Sequence, residues 1–328
     1  MDIFLQQVVN GLTLGAVYAI VALGYTMVYG IIQLINFAHG EVVMIGAMVA
    51  LSVINLLAGT GLPPFVVVLT GAACAIPVCM VVAYAMERLA YRPLRRAPRL
   101  APLITAIGVS IILQHLAMLV WSRNVLAFPQ IIDMRIYTVA GAVITNVQIA
   151  ILFSCVALMA ALAWLVYRTR LGTAMRATAQ NPQVAGLMGI DANRVIATTF
   201  LIGATLAAIA GVMVGTYYGV AQYTMGSILG LKAFSAAVLG GIGNIPGAML
   251  GGVLLGVVEA LGAGYIGNLT DLCSYPVLSG WIGARCAGGG HFVLFGSNYQ
   301  DVFAFAVLIL VLVFRPSGLL GERVGDRA

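Results

Sequence analysis

The sequence predicts an all-α polytopic membrane protein, and three observations carry that prediction. Of its 328 residues, 62% are hydrophobic and 8% charged, whereas a soluble domain carries roughly 25% charged residues to cover its surface. The mean hydropathy is +1.06. Apolar segments long enough to cross a bilayer also recur along the whole chain, with arginines gathered into a few connections between them.

The apolar segments fall near 5–30, 37–58, 64–86, 101–121, 147–167, 195–219, 227–243, 246–264 and 299–314. The seventh and ninth are short, so the expected count is eight to nine transmembrane helices. The opening stretch MDIFLQQVVNGLTLG has no basic n-region or small-residue cleavage site and reads as the first span rather than a removable signal. Arg88, Arg92, Arg95, Arg96 and Arg99 fill one connection. Arg168, Arg170, Arg176 and Arg194 fill another, and Arg315, Arg323 and Arg327 follow the last span. With nine spans these regions share one side, the cytoplasmic one, which leaves the N-terminus periplasmic and the C-terminus cytoplasmic. The net charge of +6 follows from the same rule, so the expected surroundings are membrane lipid and no nucleic acid. The chain reads as one transmembrane domain, 1–328.

Parity adds a repeat. Spans 1–4 and spans 6–9 start on opposite sides, with span 5 as the linker, which predicts two inverted halves with broken helices in each. The break is placed at NFAHGE in the first half and in AAVLGGIGNIPGAMLGG (236–252) in the second. Glycines at four-residue spacing (Gly211/Gly215/Gly219, Gly243/Gly247/Gly251, Gly11/Gly15, Gly252/Gly256) predict close helix contacts.

Catalytic signatures are absent from the sequence: it contains no HExxH, nucleophile elbow, Cys/His cluster of metal-ligand spacing or Walker A motif, and its one lysine is Lys232. Neither an enzyme, a cofactor nor a bound metal is expected. The informative polar residues are Asn36, His39 and Glu41, set between two uncharged spans. Gly30 and Gly40 suggest that the helix stops and restarts there, with Asn36 as N-cap. A helix N-terminus at membrane depth offers free N–H groups and partial positive charge. Asn36 and His39 share a face, and Glu41 points away, towards a neighbouring helix. Asn244, in the second glycine-broken stretch, joins them as a substrate-pathway candidate. His115 reads as a hydrogen-bonded bundle residue, Glu259 as a structural carboxylate near the outer interface, and Glu87 as an interface partner of Arg88. Cys74, Cys79 and Cys155 read as buried apolar residues, whereas Cys273 and Cys286 share the outer connection 265–298, where they can pair as a disulfide.

The connection 168–194, RTRLGTAMRATAQNPQVAGLMGIDANR, is long, polar and interrupted by Pro182. Ala174, Ala177, Val184, Ala185 and Met188 give it an apolar, mostly small-residue surface at helical spacing, suited to docking in a groove of a partner protein.

Four long stretches then resemble a known family. They are NGLTLGAVYAIVALGYTMVYGIIQLINFAHGEVVMIGA, ERLAYRPLRRAPRLAPLITAIGVSIILQ, MRATAQNPQVAGLMGIDANRVIATTFLIGA and GLKAFSAAVLGGIGNIPGAMLGGVLLGVVEAL. In this order they resemble the branched-chain amino acid ABC-transporter permeases of the Liv type, specifically the H permease. The resemblance implies a bacterial inner-membrane importer that pairs this chain with a second related permease, two cytoplasmic ATPase subunits and a periplasmic substrate-binding protein. The family's coupling segment maps onto Arg176–Ile190, with Gln180, Asn181, Pro182, Gly186 and Gly189 inside it. Residues 268–298 look like an insertion relative to the family. Other small solutes (other amino acids, amides, urea) fit the same importer class. An ion-coupled transporter or a passive channel is the competing class; the first needs partnered intramembrane carboxylates, and the second has no use for the 168–194 segment.

Overall fold

The computed structural model describes residues 2–95, 97–98, 100–139, 141–269 and 299–321. Eleven α-helices are described: α1 (Asp2–Ile32), α2 (His39–Leu57), α3 (Pro64–Ala85), α4 (Leu100–Val120), α5 (Asn146–Arg168), α6 (Arg170–Gln180), α7 (Pro182–Leu187), α8 (Ala192–Tyr218), α9 (Met225–Gly240), α10 (Ile245–Leu269) and α11 (Gln300–Phe314). Seven helical segments have the length and apolar composition of membrane spans. The other two apolar helices, α9 and α11, are the shorter pieces, at the two positions where the sequence leaves the span count open. A π-helical turn (Met86–Tyr91) and a 3-10 turn (Arg92–Leu94) extend α3.

Two short antiparallel pairs were not legible in the sequence. β1 (Leu126–Ala127) pairs with β4 (Val220–Ala221), and β2 (Ile136–Val139) pairs with β3 (Ala142–Thr145). The second hairpin leads into α5 through a capping box: the Thr145 hydroxyl accepts from the Gln148 amide, and the Gln148 side chain accepts from the Thr145 amide.

Packing supports the inverted repeat. Helix α2 lies on α3 and α8, while α9 lies on α10 and α1; α3 packs on α8 as α10 packs on α1, and α4 touches α2 as α11 touches α9. Each half is built on an antiparallel helix pair. Cys79 of α3 reaches the Val42 carbonyl while Gly71 lies against Ile54, so α3 is antiparallel to α2. In the other half, Gly247 meets Gly240 and Gly251 meets Ala236, so α10 is antiparallel to α9. The closest seam joins α1 to α10, where Gly11 and Gly15 face Val257 and Val253, and Gly256 faces Gly15 in return. At these separations any side chain would displace backbone, which is why the two glycine pairs occur together.

Burial divides the bundle into centre and periphery. The spanning windows of α1, α2 and α8 are 83%, 67% and 67% buried, and that of α4 is 11% buried. Helix α4 exposes Ile104, Ile107, Ile111, Ile112 and Leu119, so this apolar surface meets lipid or protein rather than water. One end of the bundle gathers the arginine-rich connections. Arg95 donates to the Asn193 side chain at the start of α8. The chain beyond α11 folds back so that the amides of Leu319 and Leu320 donate to the carbonyls of Leu239 and Gly240 at the end of α9.

Candidate functional site: a junction of two helix N-termini

The first break lies where the sequence places it. Helix α1 ends at Ile32, Gln33 takes a left-handed φ of 53°, and α2 restarts at His39. The cap differs from expectation. Ala38 is the N-cap and makes no side-chain cap bond. The Asn36 side chain instead accepts from the Tyr91 hydroxyl at 2.6 Å, an acceptor already in use before the helix begins. The His39 ring lies edge-on to Tyr25 with centroids 4.9 Å apart. It fills the space over Gly24, where a Cβ would collide with Nε2.

The second break is not in 236–252. That stretch makes an ordinary turn between antiparallel α9 and α10, with the Asn244 side chain accepting from the Gly247 amide and donating to the Leu320 carbonyl. The counterpart of 33–38 is 219–224. There α8 ends on Gly219 in the left-handed region, the chain runs through β4, and α9 starts at Met225, again without a side-chain cap. The glycine content of 236–252 serves helix contact rather than helix interruption. Asn244 stands at the far end of α9, roughly 22 Å along the axis from Met225 at 1.5 Å per residue, and is not brought to the site.

The two uncapped N-termini meet. A Cβ on Gly40 would collide with the Gly226 carbonyl oxygen and fall 2.8 Å from the Gly230 Cα; one on Gly226 would fall 2.6 Å from Glu41 Oε2. Glu41 therefore lies in the first turn of α2 and against the first turn of α9 at once. Its other oxygen accepts from Ser110 and Gln114 of α4, each at 3.0 Å, the neighbouring-helix tie that its position suggests. Two helix N-termini carry partial positive charge to this point, and a carboxylate is held between them. Asn36, His39 and Glu41 are 3%, 3% and 0% exposed. By strict geometry Tyr25 OH, His39 Nε2, Thr26 Oγ1 and Glu41 Oε2 are buried without a hydrogen-bond partner, although Tyr25 leans towards the Gly40 amide and the His39 ring towards the Val21 carbonyl. Of these, Tyr25 OH and Glu41 Oε2 lie beside the glycine contact, and buried polar atoms left under-satisfied are uncommon in a packed interior.

The opposite face of α9 borders a cleft of about 270 Å³ lined by Tyr18, Tyr218, Gln222, Met225, Leu229 and Lys232 among others. Lys232 is bound there by Glu259 at 2.7 Å and Asp301 at 2.6 Å, and Tyr18 donates to Glu259 at 3.0 Å. Glu259 is 1% exposed, so it does not reach the interface as expected; it neutralises the lysine. Glu87 likewise pairs with Arg95, not Arg88, which bonds Tyr84. His115 is exposed and bonds the Ile111 carbonyl of its own helix. Cys79 and Cys155 are buried, but Cys74 is exposed. Cys273 and Cys286 lie outside the described residues, and α10 continues to Leu269, beyond the span end expected near 264.

The 168–194 segment forms two short helices. Thr169 caps α6 by accepting from the Gly172 amide, and Asn181 caps α7 by accepting from Gln183 and Val184. Arg176 folds back onto the Val166 carbonyl, over the Tyr167 ring, so it secures α6 to α5. Ala185 is buried, while Val184, Leu187 and Met188 are exposed, the last two at 87% and 79%. The exposed surface is therefore made by large apolar side chains, not by the small ones the spacing suggests. Gly186 faces open space, Gly189 turns the chain at φ 82°, and the Ile190 amide closes the turn on the Ala185 carbonyl. Gln180 and Pro182 are exposed.

Two helix N-termini abutting within the bundle, with a helical segment projecting from the arginine-rich end, is an arrangement suited to a transport subunit, and comparison with known proteins is decisive. The family model described as the branched-chain amino acid transport system / permease component matches residues 7–312. The chain belongs to this permease family. It is 47% identical over 324 residues to the high-affinity branched-chain amino acid transport system permease protein BraD of Pseudomonas aeruginosa, covering 97% of this chain and 96% of that protein. It is 43% identical over 326 residues to the corresponding permease protein LivH of Escherichia coli K12, with the same coverage. Among the residues that sequence reasoning missed in this permease, Gly226 and Gly230 carried a visible signal, the same four-residue spacing noted elsewhere. Tyr25, Tyr91 and Lys232 carried none, since an aromatic or a single lysine in an apolar run acquires its role only from a distant helix.

Proposed function

We propose that this permease is the membrane-spanning subunit of an ATP-driven importer that carries branched-chain amino acids inward across the bacterial inner membrane. In this reading it pairs with a second related permease, receives substrate from a periplasmic binding protein, and is driven by two cytoplasmic ATPase subunits. The near-full-length likeness to permeases of that named system supports the cargo. The observation that carries the mechanism is the meeting of the α2 and α9 N-termini at Gly40 and Gly226, with the Glu41 carboxylate between them.

Glu41 occupies the position that a substrate carboxylate would take on the same helix ends. When the two helix ends part, the α-carboxylate of an entering amino acid finds free N–H groups, and Glu41, Tyr25 and His39 present acceptors and a hydroxyl to its ammonium group. Asn36 and His39 border this path. The α6–α7 segment is the ATPase contact, with Val184, Leu187 and Met188 entering a groove of the partner. The N-terminus is periplasmic, and Cys273 and Cys286 form a disulfide on that side.

The test is uptake of labelled leucine in cells whose own importer is deleted. The paired substitution Asn36→Ala and His39→Ala lowers uptake at least tenfold at unchanged membrane abundance; undiminished uptake removes both residues from the path. Leu187→Asp releases the ATPase subunits during purification while leaving ligand binding by the periplasmic protein intact. Mass mapping of unreduced peptides finds Cys273 linked to Cys286, and two free thiols there refute the disulfide.

A further inference from the structure

The α6–α7 segment and the Gly40–Gly226 junction are separate sites, and the π-helical turn at the end of α3 touches the surroundings of both. It holds two buried polar residues, Glu87 at 2% and Tyr91 at 0% exposure. Tyr91 donates to Asn36 at 2.6 Å, inside the first break, and its ring packs on Phe200 of α8 with centroids 5.5 Å apart. Glu87 accepts from Arg95, and the other arm of that guanidinium donates to the Asn193 side chain at 2.7 Å. Asn193 lies in the first turn of α8, and its amide is bonded by Asp191, the residue that caps α8 at the end of the 168–194 segment.

We propose that the π-turn 86–91, with Arg95, is the link that passes movement of the α6–α7 segment to the junction, and that Tyr91 and Arg95 are positioning residues for transport. The inference rests on the reading of 168–194 as the ATPase contact. A π-turn is an α-helix with an extra residue; here the Arg92 amide bonds the Glu87 carbonyl five residues back. Such a turn has a second register within reach. Returning it to α geometry rotates the downstream residues by about 100°, which takes the Tyr91 hydroxyl from Asn36 and Arg95 from its place between Glu87 and Asn193. One end cannot change register while the other keeps its bonds. This makes the turn a two-state element contacted from both sites, which is the physical requirement for coupling. The burial of Glu87 sets its direction. If the coupling segment moves Asn193 and draws Arg95 away, a buried carboxylate loses its partner, and the register that left it buried is no longer favoured.

The experiment uses the complete reconstituted transporter with binding protein, measuring ATP hydrolysed, amino acid moved and ATPase subunits retained. Tyr91→Phe removes only a hydroxyl and keeps the ring on Phe200; Asn193→Ala alters an exposed side chain. Both retain the ATPase subunits and hydrolyse ATP within twofold of wild type, yet move at least fivefold less amino acid per ATP. Arg95→Lys, which keeps a cation beside Glu87, recovers part of what Arg95→Ala loses. A wild-type ratio of transport to hydrolysis in Tyr91→Phe or Asn193→Ala overturns the link. Should Leu187→Asp retain its ATPase subunits, the docking reading fails on its own account, separately from this ratio. Hydrogen exchange of unmutated protein gives an independent readout: amides of 86–95 change protection when the complex is trapped with a non-hydrolysable ATP analogue, and unchanged protection refutes the register shift.

Discussion

Lys232 shows how much one side chain can matter in a bundle with so few charges. Its side chain is 8% exposed, and the ammonium group is held by Glu259 and Asp301. Desolvating Lys232 and Glu259 is costly, and the cost is offset only while the partners stay together; Asp301 remains 42% exposed. Lys232→Met should therefore strand the buried Glu259 carboxylate and lower stability by about 3–5 kcal/mol, read as a fall in the thermal unfolding midpoint of the detergent-solubilised protein. Adding Glu259→Leu to that variant should recover part of the loss, because the more deeply buried unpaired charge goes with it. A double variant less stable than the single one would refute this account. None of this was legible in the sequence, where Lys232 stands alone and Glu259 looks close enough to the interface to be solvated. An ion pair between residues 27 apart on antiparallel helices leaves no local pattern.

At the scale of elements, the legible and illegible parts separate by the physics that sets each. Spans are fixed by runs of apolar side chains, so their limits could be read to within a few residues, and a short run gave a short helix in α9 and α11. The break at 33–38 was readable because polar residues and glycines coincide there. The break at 219–224 was missed because QYT is only mildly polar and the richer glycine run 20 residues later drew the assignment. That later run marks contact, as Gly240 against Gly247 shows. The contact between the two helix N-termini is itself testable. Gly226→Ala places a methyl 2.6 Å from both Glu41 Oε2 and the Gly40 carbonyl oxygen, and overpacking of this kind costs about 1–3 kcal/mol. Uptake should fall at least severalfold at unchanged membrane abundance, whereas Gly108→Ala, on a helix face with open space, should leave both uptake and stability unchanged. Equal effects of the two substitutions would remove the special role of the contact.

At the scale of the whole molecule, the inverted repeat followed from parity and arginine placement, but its functional meaning did not. Parity says that equivalent helices oppose each other; only packing reveals that the opposition brings two helix N-termini face to face. The proposed orientation makes a direct prediction. In a variant lacking native cysteines, a single cysteine at Gly59, in the turn after α2, should be labelled by a membrane-impermeant thiol reagent added to intact cells. One at Leu187 should be labelled only after the membrane is opened. The reverse pattern would invert the assignment of both ends.

The fold-back of 315–321 onto α9 also imposes an order in time. The carbonyls of Leu239 and Gly240 receive their partners from Leu319 and Leu320, which are synthesised about eighty residues later. While the ribosome is still making α10 and α11, the half-helix α9 has an unfinished end and is too short to cross the bilayer as an independent span. Its place must be held by α1 and α2, already inserted. The amino-terminal half thus serves as scaffold for the carboxy-terminal half, and a chain released before Leu319 should meet the membrane's quality-control proteases with α9 still open.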